Sequence, residues 1–286
     1  DGFHVYPVFG DKAFKKEVSP FLMFDYAEPK QFFPARAGGR RGVGQHPHRG
    51  FETVTIVFQG EVEHRDSDGN WGVIGQGDVQ WMTAARGIVH EEFHSDAFTL
   101  RGGTFEVCQL WVNLPKDKKM TDPQYQAILN ENIPKVPLRS ISDGGVCKEE
   151  PLKDGFARII AGKFQGVKGP ASTFTPMNLW DICLSTKKKS FELEFVEGHT
   201  TMIFLRKGSV EVEGKTLESA DVAIMSREGT KVKIQAKEKD SSLLILSGEP
   251  IDEPIAARGP FVMSNQQELI DAMQDYHRGM NGFTHF

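Results

Sequence analysis

The chain has 286 residues, 39% hydrophobic and 26% charged, with a formal net charge of −5. That length admits one large domain or two of about 100 to 150 residues with a full core, and the ordinary composition excludes a disordered or fibrous protein. The longest basic run is Lys187-Lys188-Lys189, which argues against a polyanion-binding surface and reads as a solvated loop; no apolar stretch approaches the roughly 18 residues of a membrane span.

Three widely spaced cysteines, Cys108, Cys147 and Cys183, are odd in number and fit a reducing compartment better than a disulfide framework. No secretory leader is read ahead of Phe3. The expected location is therefore the cytoplasm, with the nucleus added in a eukaryote.

A two-residue hydrophobic period governs the chain. The β-branched run Thr53-Val54-Thr55-Ile56-Val57 leads through a Gly60 turn into Glu61-Val62-Glu63, and such alternation predicts strands. Turn clusters at Asp66–Asn70 and Gly75–Asp78 separate them from further strands at Val79–Met82 and Phe105–Asn113, a spacing that reads as an antiparallel sandwich or barrel. Thr121 and Gln124 have capping-box spacing and predict a short helix through Leu129. Pro134, Pro137 and Pro151 then mark a linker. Strands resume at Phe156–Ile160, Leu179–Leu184, Phe191–Phe195, Met202–Leu205, Val210–Glu213, Val222–Met225 and Leu243–Leu246. Ser264 and Gln267 repeat the capping spacing, and Leu269, Ile270 and Met273 share one helical face, so a helix closes the chain.

Gly60-Glu61-Val62-Glu63 resembles Gly208-Ser209-Val210-Glu211, and Asp78-Val79-Gln80-Trp81-Met82 resembles Asp221-Val222-Ala223-Ile224-Met225, in the same order. Two fragments in register indicate a duplicated β-domain. The expected organisation is all-β: a first barrel over residues 1–130, a linker over 131–153, and a second barrel with the closing helix over 154–286. Mild net charge and the lack of an obvious exposed apolar helix favour a monomer.

Five of the nine histidines, His46, His48, His64, His90 and His94, fall in one short stretch. Residues two apart on a strand share a face, so His46-Pro47-His48 presents two imidazoles together, and His90-Glu91-Glu92 presents an imidazole beside the Glu92 carboxylate. Two such strands facing into a barrel converge four donors, His46, His48, His90 and Glu92, on one point. Three imidazoles and a carboxylate suit a divalent first-row metal and leave positions open, as in non-haem Fe(II) oxygenases; Fe(II) is the first expectation, with Mn, Cu, Ni, Co and Zn also admitted. His64 is expected to face solvent, and His94 is read as a loop histidine. Glu52 shares parity with the histidine pair and is read as a supporting or substitute ligand. Gln109 and Trp111 are candidates for the pocket wall, with core packing the alternative for Trp111.

At His46-Pro47-His48-Arg49-Gly50-Phe51-Glu52-Thr53-Val54, Gly77-Asp78-Val79-Gln80-Trp81-Met82-Thr83-Ala84, Arg86-Gly87-Ile88-Val89-His90, Gln109-Leu110-Trp111-Val112-Asn113-Leu114 and Gly259-Pro260-Phe261-Val262-Met263, the sequence resembles the pirins, two-domain members of the cupin superfamily. The resemblance implies two tandem cupin barrels and places the family's iron ligands on His46, His48, His90 and Glu92. It departs from the general cupin pattern in taking the carboxylate from Glu92 rather than Glu52. Aligning the halves puts Glu194 and Val196 opposite His46 and His48, and Lys233 and Gln235 opposite His90 and Glu92, so the second barrel is expected to be metal-free. His199 is then a lone structural or exposed histidine.

Two activities follow from the resemblance. One is quercetin 2,3-dioxygenase, in which a flavonol and dioxygen react with release of carbon monoxide and Glu92 accepts the hydroxyl proton. The other is regulatory: a redox-sensing iron protein whose metal valence controls binding of a protein partner, without a dedicated substrate and without direct nucleic-acid contact.

Overall fold

The computed structural model describes residues 2–10, 16–36, 38–141 and 154–286; Cys147, Pro151 and the later part of the expected linker lie outside them. The fold is all-β, and contacts divide it into two compact units, one of residues 1–16, 20–130 and 251–286, the other of 17–19 and 131–250.

The first unit opens with β1 (Tyr6–Phe9), β2 (Phe21–Phe32), β3 (Gly42–His48), β4 (Phe51–Gln59) and β5 (Val62–Asp66). There follow β6 (Trp71–Ile74), β7 (Val79–Thr83), β8 (Ile88–His94), the helix α1 (Asp96–Arg101), β9 (Gly103–Asn113) and β10 (Gln124–Ile128). They form a six-stranded sheet in the order β1-β2-β9-β4-β7-β10 and a four-stranded sheet in the order β3-β8-β5-β6, antiparallel throughout. The β-branched residues of β4 fit this pleated setting, and eight of its nine residues are buried.

The second unit contains β11 (Lys135–Pro137), β12 (Ser140–Ile141), β13 (Gly155–Ala161), β14 (Lys163–Phe164), β15 (Val167–Lys168), β16 (Met177–Leu184) and β17 (Ser190–Glu194). It continues through β18 (Thr200–Lys207), β19 (Ser209–Val212), β20 (Lys215–Glu218), β21 (Val222–Ile224), β22 (Lys231–Ala236) and β23 (Ser241–Gly248). Sheets of order β11-β13-β16-β23-β18-β21 and β12-β17-β22-β19-β20 enclose its apolar core.

Three sequence expectations are corrected. Residues 124–128 are not a helix but strand β10, which pairs with β7 along Tyr125↔Met82 and Ala127↔Gln80; so short a segment gains little as an isolated helix, whereas an open sheet edge satisfies its backbone. The last segment, with β24 (Ala256–Arg258), β25 (Phe261–Met263) and α2 (Gln266–Arg278), was expected with the second barrel but belongs to the first unit. Its apolar face finds Val89 there, in a buried cluster with Phe261, Met263, Leu269, Ala272 and Phe283. The cap of α2 is displaced by one residue: Asn265 Oδ1 accepts from the Glu268 amide at 3.0 Å, and Glu268 Oε2 accepts from the Ser264 amide at 2.8 Å. Leu269 and Ala272 are consequently buried, while Ile270 is 41% exposed.

Candidate functional site

Antiparallel register builds the site. In the four-stranded sheet His46 lies opposite His90, which lies opposite Asp66, and one step along the same face Glu92 lies opposite His64. The strands therefore present a two-row field of imidazoles and carboxylates on one face. Ring centroids are 4.2 Å apart for His46 and His90, 4.8 Å for His48 and His90, and 5.4 Å for His64 and His90.

The six-stranded sheet supplies the opposing wall, also in rows. Gln109, Thr55 and Gln80 are cross-strand neighbours on β9, β4 and β7, and all three converge on Glu92. Gln80 Nε2 donates to Glu92 Oε1 at 3.0 Å, Thr55 Oγ1 donates to the same oxygen at 3.3 Å, and Gln109 Nε2 donates to Oε2 at 2.9 Å. Both carboxylate oxygens are held by neutral donors, which fixes the orientation of the group. The next row carries Trp111, Thr53, Met82 and Tyr125. From it Trp111 packs edge-on to His48 at 5.3 Å and tilted against Phe51 at 4.3 Å, and Tyr125 stacks on His64 at 4.9 Å.

Of the four donors selected by strand parity, His46, His48 and His90 come together in one group, while Glu92 groups with His90 and His64 rather than with His46 and His48. The donor atoms of His46, His48 and His90 all fall within 4.8 Å of one another, as do those of His64, His90 and Glu92. Glu91, on the opposite face, pairs with Arg40 instead, its Oε1 accepting at 3.1 Å. Gln109 reaches the site through Glu92, and Trp111 is half-buried at its wall. Glu52, expected to share the donors' face as a supporting or substitute ligand, is instead buried on the opposite face of β4 from Thr53 and Thr55, since successive strand residues point to opposite sides, and accepts from Thr83 Oγ1 at 2.7 Å; its burial pushes the carboxyl up to about 7.

Two histidine readings change. His64, expected at the surface, is fully buried and bonds through Nε2 to Asp66 Oδ2 at 3.1 Å. Alternation in β5 marks His64 and Asp66 as one face, but which face turned inward depended on pairing with β8. His94, read as a loop residue, ends β8 in an aromatic pocket, 4.3 Å from Phe105 and 4.7 Å from Phe32, with Nε2 at 3.0 Å from the Gly2 carbonyl. Burial holds its pKa down at about 4. Thr55, Gln80, Tyr125 and Asp66 are site residues that sequence reasoning missed; two-residue parity with Thr53 and with His64 was the only local signal, for Thr55 and Asp66.

Burial, then the neighbouring imidazoles, holds the pKa of His48 and of His90 well below the ordinary histidine value, with the Pro260 carbonyl opposing the shift at His48. Their lone pairs stay available at neutral pH. His90 is 0% exposed, yet neither of its ring nitrogens has a hydrogen-bond partner, and His48 Nδ1 and His64 Nδ1 are also buried and unpartnered. Buried polar atoms are ordinarily paired, so this donor set is one that could hold a metal ion.

The second barrel fills the corresponding positions differently. With Gly208 matched to Gly60, the strand registers place Val212, Ile234 and Val232 where His64, Glu92 and His90 stand, and Leu193 opposite Val232 as His46 is opposite His90. All four are apolar and buried in that unit's core. The sequence alignment had put Lys233, Gln235, Glu194 and Val196 there; the connection from β21 to β22 is one residue shorter, the stretch between β17 and Gly208 is one residue longer, and a one-residue slip turns every side chain to the other face.

A family model described as Pirin matches residues 2–112, and one described as the Pirin C-terminal cupin domain matches residues 179–282. A Pseudomonas aeruginosa protein named "putative quercetin 2,3-dioxygenase" is 47% identical over 279 residues, covering 98% of this chain and 92% of that protein. Human pirin is 35% identical, with 94% of this chain and 84% of that protein covered. The crystal structure of a quercetin 2,3-dioxygenase from Acinetobacter baumannii superimposes with a TM-score of 0.89 at 46% identity, covering 99% of this chain and 94% of that one.

Proposed function

The chain belongs to the pirin family, and from that premise and the site geometry we propose that it is a flavonol-cleaving dioxygenase of the quercetin 2,3-dioxygenase type. Its cation, Fe(II) by preference, would be held by His46, His48, His90 and Glu92. The observation that carries this reading is the pair of unpartnered nitrogens on fully buried His90, flanked by His46 and His48. Such an arrangement is costly for an apolar-packed imidazole and suits a donor awaiting a cation. The near-full-length identity to proteins named for quercetin dioxygenation supports the substrate class.

A divalent cation bound there would supply Lewis acidity toward a substrate oxygen and an open position beside it. The protein supplies the rest. Low-dielectric burial keeps His48 and His90 neutral. Gln80 and Gln109 clamp Glu92 so that its carboxylate keeps one orientation as it accepts the flavonol hydroxyl proton. Trp111, braced by Phe51, offers a flat aromatic wall on which a planar ring system can lie.

The test is carbon monoxide evolution from quercetin under air by protein loaded with Fe(II). Turnover lost together with metal in His46→Ala and Glu92→Ala supports the reading. Full activity in a metal-depleted variant, or no carbon monoxide from a loaded one, defeats it. Valence-dependent binding of a protein partner without turnover would instead favour a redox-sensing regulator.

A further inference from the structure

The second unit holds a cavity of about 250 Å³, and strand register explains why it is there. Thr201 on β18 lies opposite Ser247 on β23, as Thr53 lies opposite Trp111 in the first barrel, so a serine stands where the first barrel has an indole. Thr201 Oγ1 donates to Ser247 Oγ at 3.1 Å, and the volume of a large ring is left open beside them. One row further in, Trp180 lies opposite Ile245 and stacks on Phe195 at 5.5 Å and 21°, which fixes the Phe195 ring where it lines the cavity. Met225 lines it too, with Val232, which stands in the place that His90 has in the first barrel. The positions matching the first barrel's donors are apolar, so a ligand is held here by contact and by the polar rim rather than by a metal.

That rim is acidic, with Glu213 and Glu228 both lining the cavity. Glu213 and Gly214 make the two-residue loop of the β19–β20 hairpin, in which Val212 lies opposite Lys215. Glu213 takes φ +46°, a conformation that such loops ordinarily leave to Gly, Asn or Asp. Strain of this kind gathers at binding sites, and Glu213 Oε1 accepts from the Lys233 amide at 2.5 Å, which holds the carboxylate in place. The lining cation, Lys231, is already compensated, with Nζ 2.5 Å from Glu192 Oε1 and 3.8 Å from Glu194 Oε1. His199 in the wall adds no charge near pH 7, because burial holds its pKa below the ordinary histidine value.

We propose that this cavity binds a small aromatic amine in its ammonium form, with the ring packed on Phe195, Met225 and Val232 and the ammonium turned to the carboxylates of Glu213 and Glu228. One ring on a short chain suits a volume just under the roughly 300 to 1,000 Å³ of drug-sized sites. Apolar contact supplies affinity, and the two acids select a cation over an anion. The site lies wholly in the second unit and does not depend on the metal reading.

Phenethylammonium is the probe, titrated calorimetrically into the full chain at pH 7, where the protonated amine has no lone pair to offer a metal. Phenethyl alcohol and hydrocinnamate carry the same ring with no charge and with the opposite charge. The wild type is expected to bind the amine at one saturable site, the alcohol at least about fivefold more weakly, and hydrocinnamate not at all at the same concentrations. Glu213→Gln/Glu228→Gln should bring the amine down to the affinity of the alcohol and leave the alcohol unchanged, whereas a merely structural role for the acids would move both alike. Met225→Trp should fill the cavity and abolish both, with the fold retained by circular dichroism. No saturable amine binding overturns the proposal, as does binding of the alcohol or hydrocinnamate as tight as that of the amine, or a folded Met225→Trp protein that binds like the wild type. Should Met225→Trp not fold, an undiminished preference for the amine in Glu213→Gln/Glu228→Gln overturns it equally.

Discussion

Gln109 on the six-stranded sheet donates a hydrogen bond at 2.9 Å to Glu92 on the four-stranded sheet, so one wall of the barrel holds the carboxylate displayed by the other. Gln109→Leu frees Oε2 and removes one of its restraints. The expected outcome is a metal affinity about 10- to 100-fold weaker with the fold retained, read by calorimetric titration with Fe(II) or Co(II) alongside circular dichroism. Unchanged affinity would show that the clamp has no part in binding.

Glu52 gives a pH signature separate from the donor cluster. Burial raises its folded pKa to about 7 from the ordinary 4.5, so the native state holds a proton that the unfolded chain has released between those values. Its contribution to stability is present in full below about pH 4.5 and is lost as pH rises through about 7. The loss is on the order of 3 kcal/mol. Glu52→Gln removes this dependence, and the urea midpoint of the variant should gain on that of the wild type between pH 5 and 8. Parallel midpoints across that range would contradict the assignment.

Arg49 follows the ligand candidate His48 and is 1% exposed; its Nη1 donates to Asp275 Oδ2 at 2.8 Å, and its guanidinium lies 4.5 Å over Phe283. Asp275→Asn leaves a buried cation without its counter-charge and should cost about 3 kcal/mol. The double variant Arg49→Met/Asp275→Asn should cost less than Asp275→Asn alone, because the unpaired charge is gone. Chemical denaturation of the set measures this, and a double variant less stable than the single one would refute it.

Gly50 sits at φ +89°, and a Cβ there would stand 2.0 Å from the Val262 carbonyl oxygen. That oxygen also accepts from buried Lys119 Nζ at 3.0 Å, while the Gly50 carbonyl accepts from the same ammonium at 2.7 Å. Gly50→Ala therefore has to displace backbone as well as adopt a left-handed conformation. A loss of more than about 1 kcal/mol is expected from thermal unfolding; a wild-type melting temperature would show that the junction yields.

The local periods carried much of this protein in plain view. Two-residue alternation marked strands now seen at Val79–Thr83, Met177–Leu184 and Ser241–Gly248, and the same parity singled out His46, His48, His90 and Glu92 as sharing inward faces. Residues 124–128 misled because capping-box spacing is also compatible with a turn before an edge strand. The Lys233 and Gln235 alignment failed by one position because a loop length cannot be seen in strand periodicity.

By itself the amino-acid order determined the all-β class, the duplication and the nearness of His46, His48 and His90, because side-chain direction along a strand is set by backbone geometry within a few residues. Only the tertiary structure decided that His64 stands opposite Glu92 rather than in solvent, that Gln80 and Gln109 reach across to that carboxylate, and that α2 packs with the first unit. Those relationships depend on register and on which apolar faces meet, and both are settled by the collective burial of residues far apart in the chain.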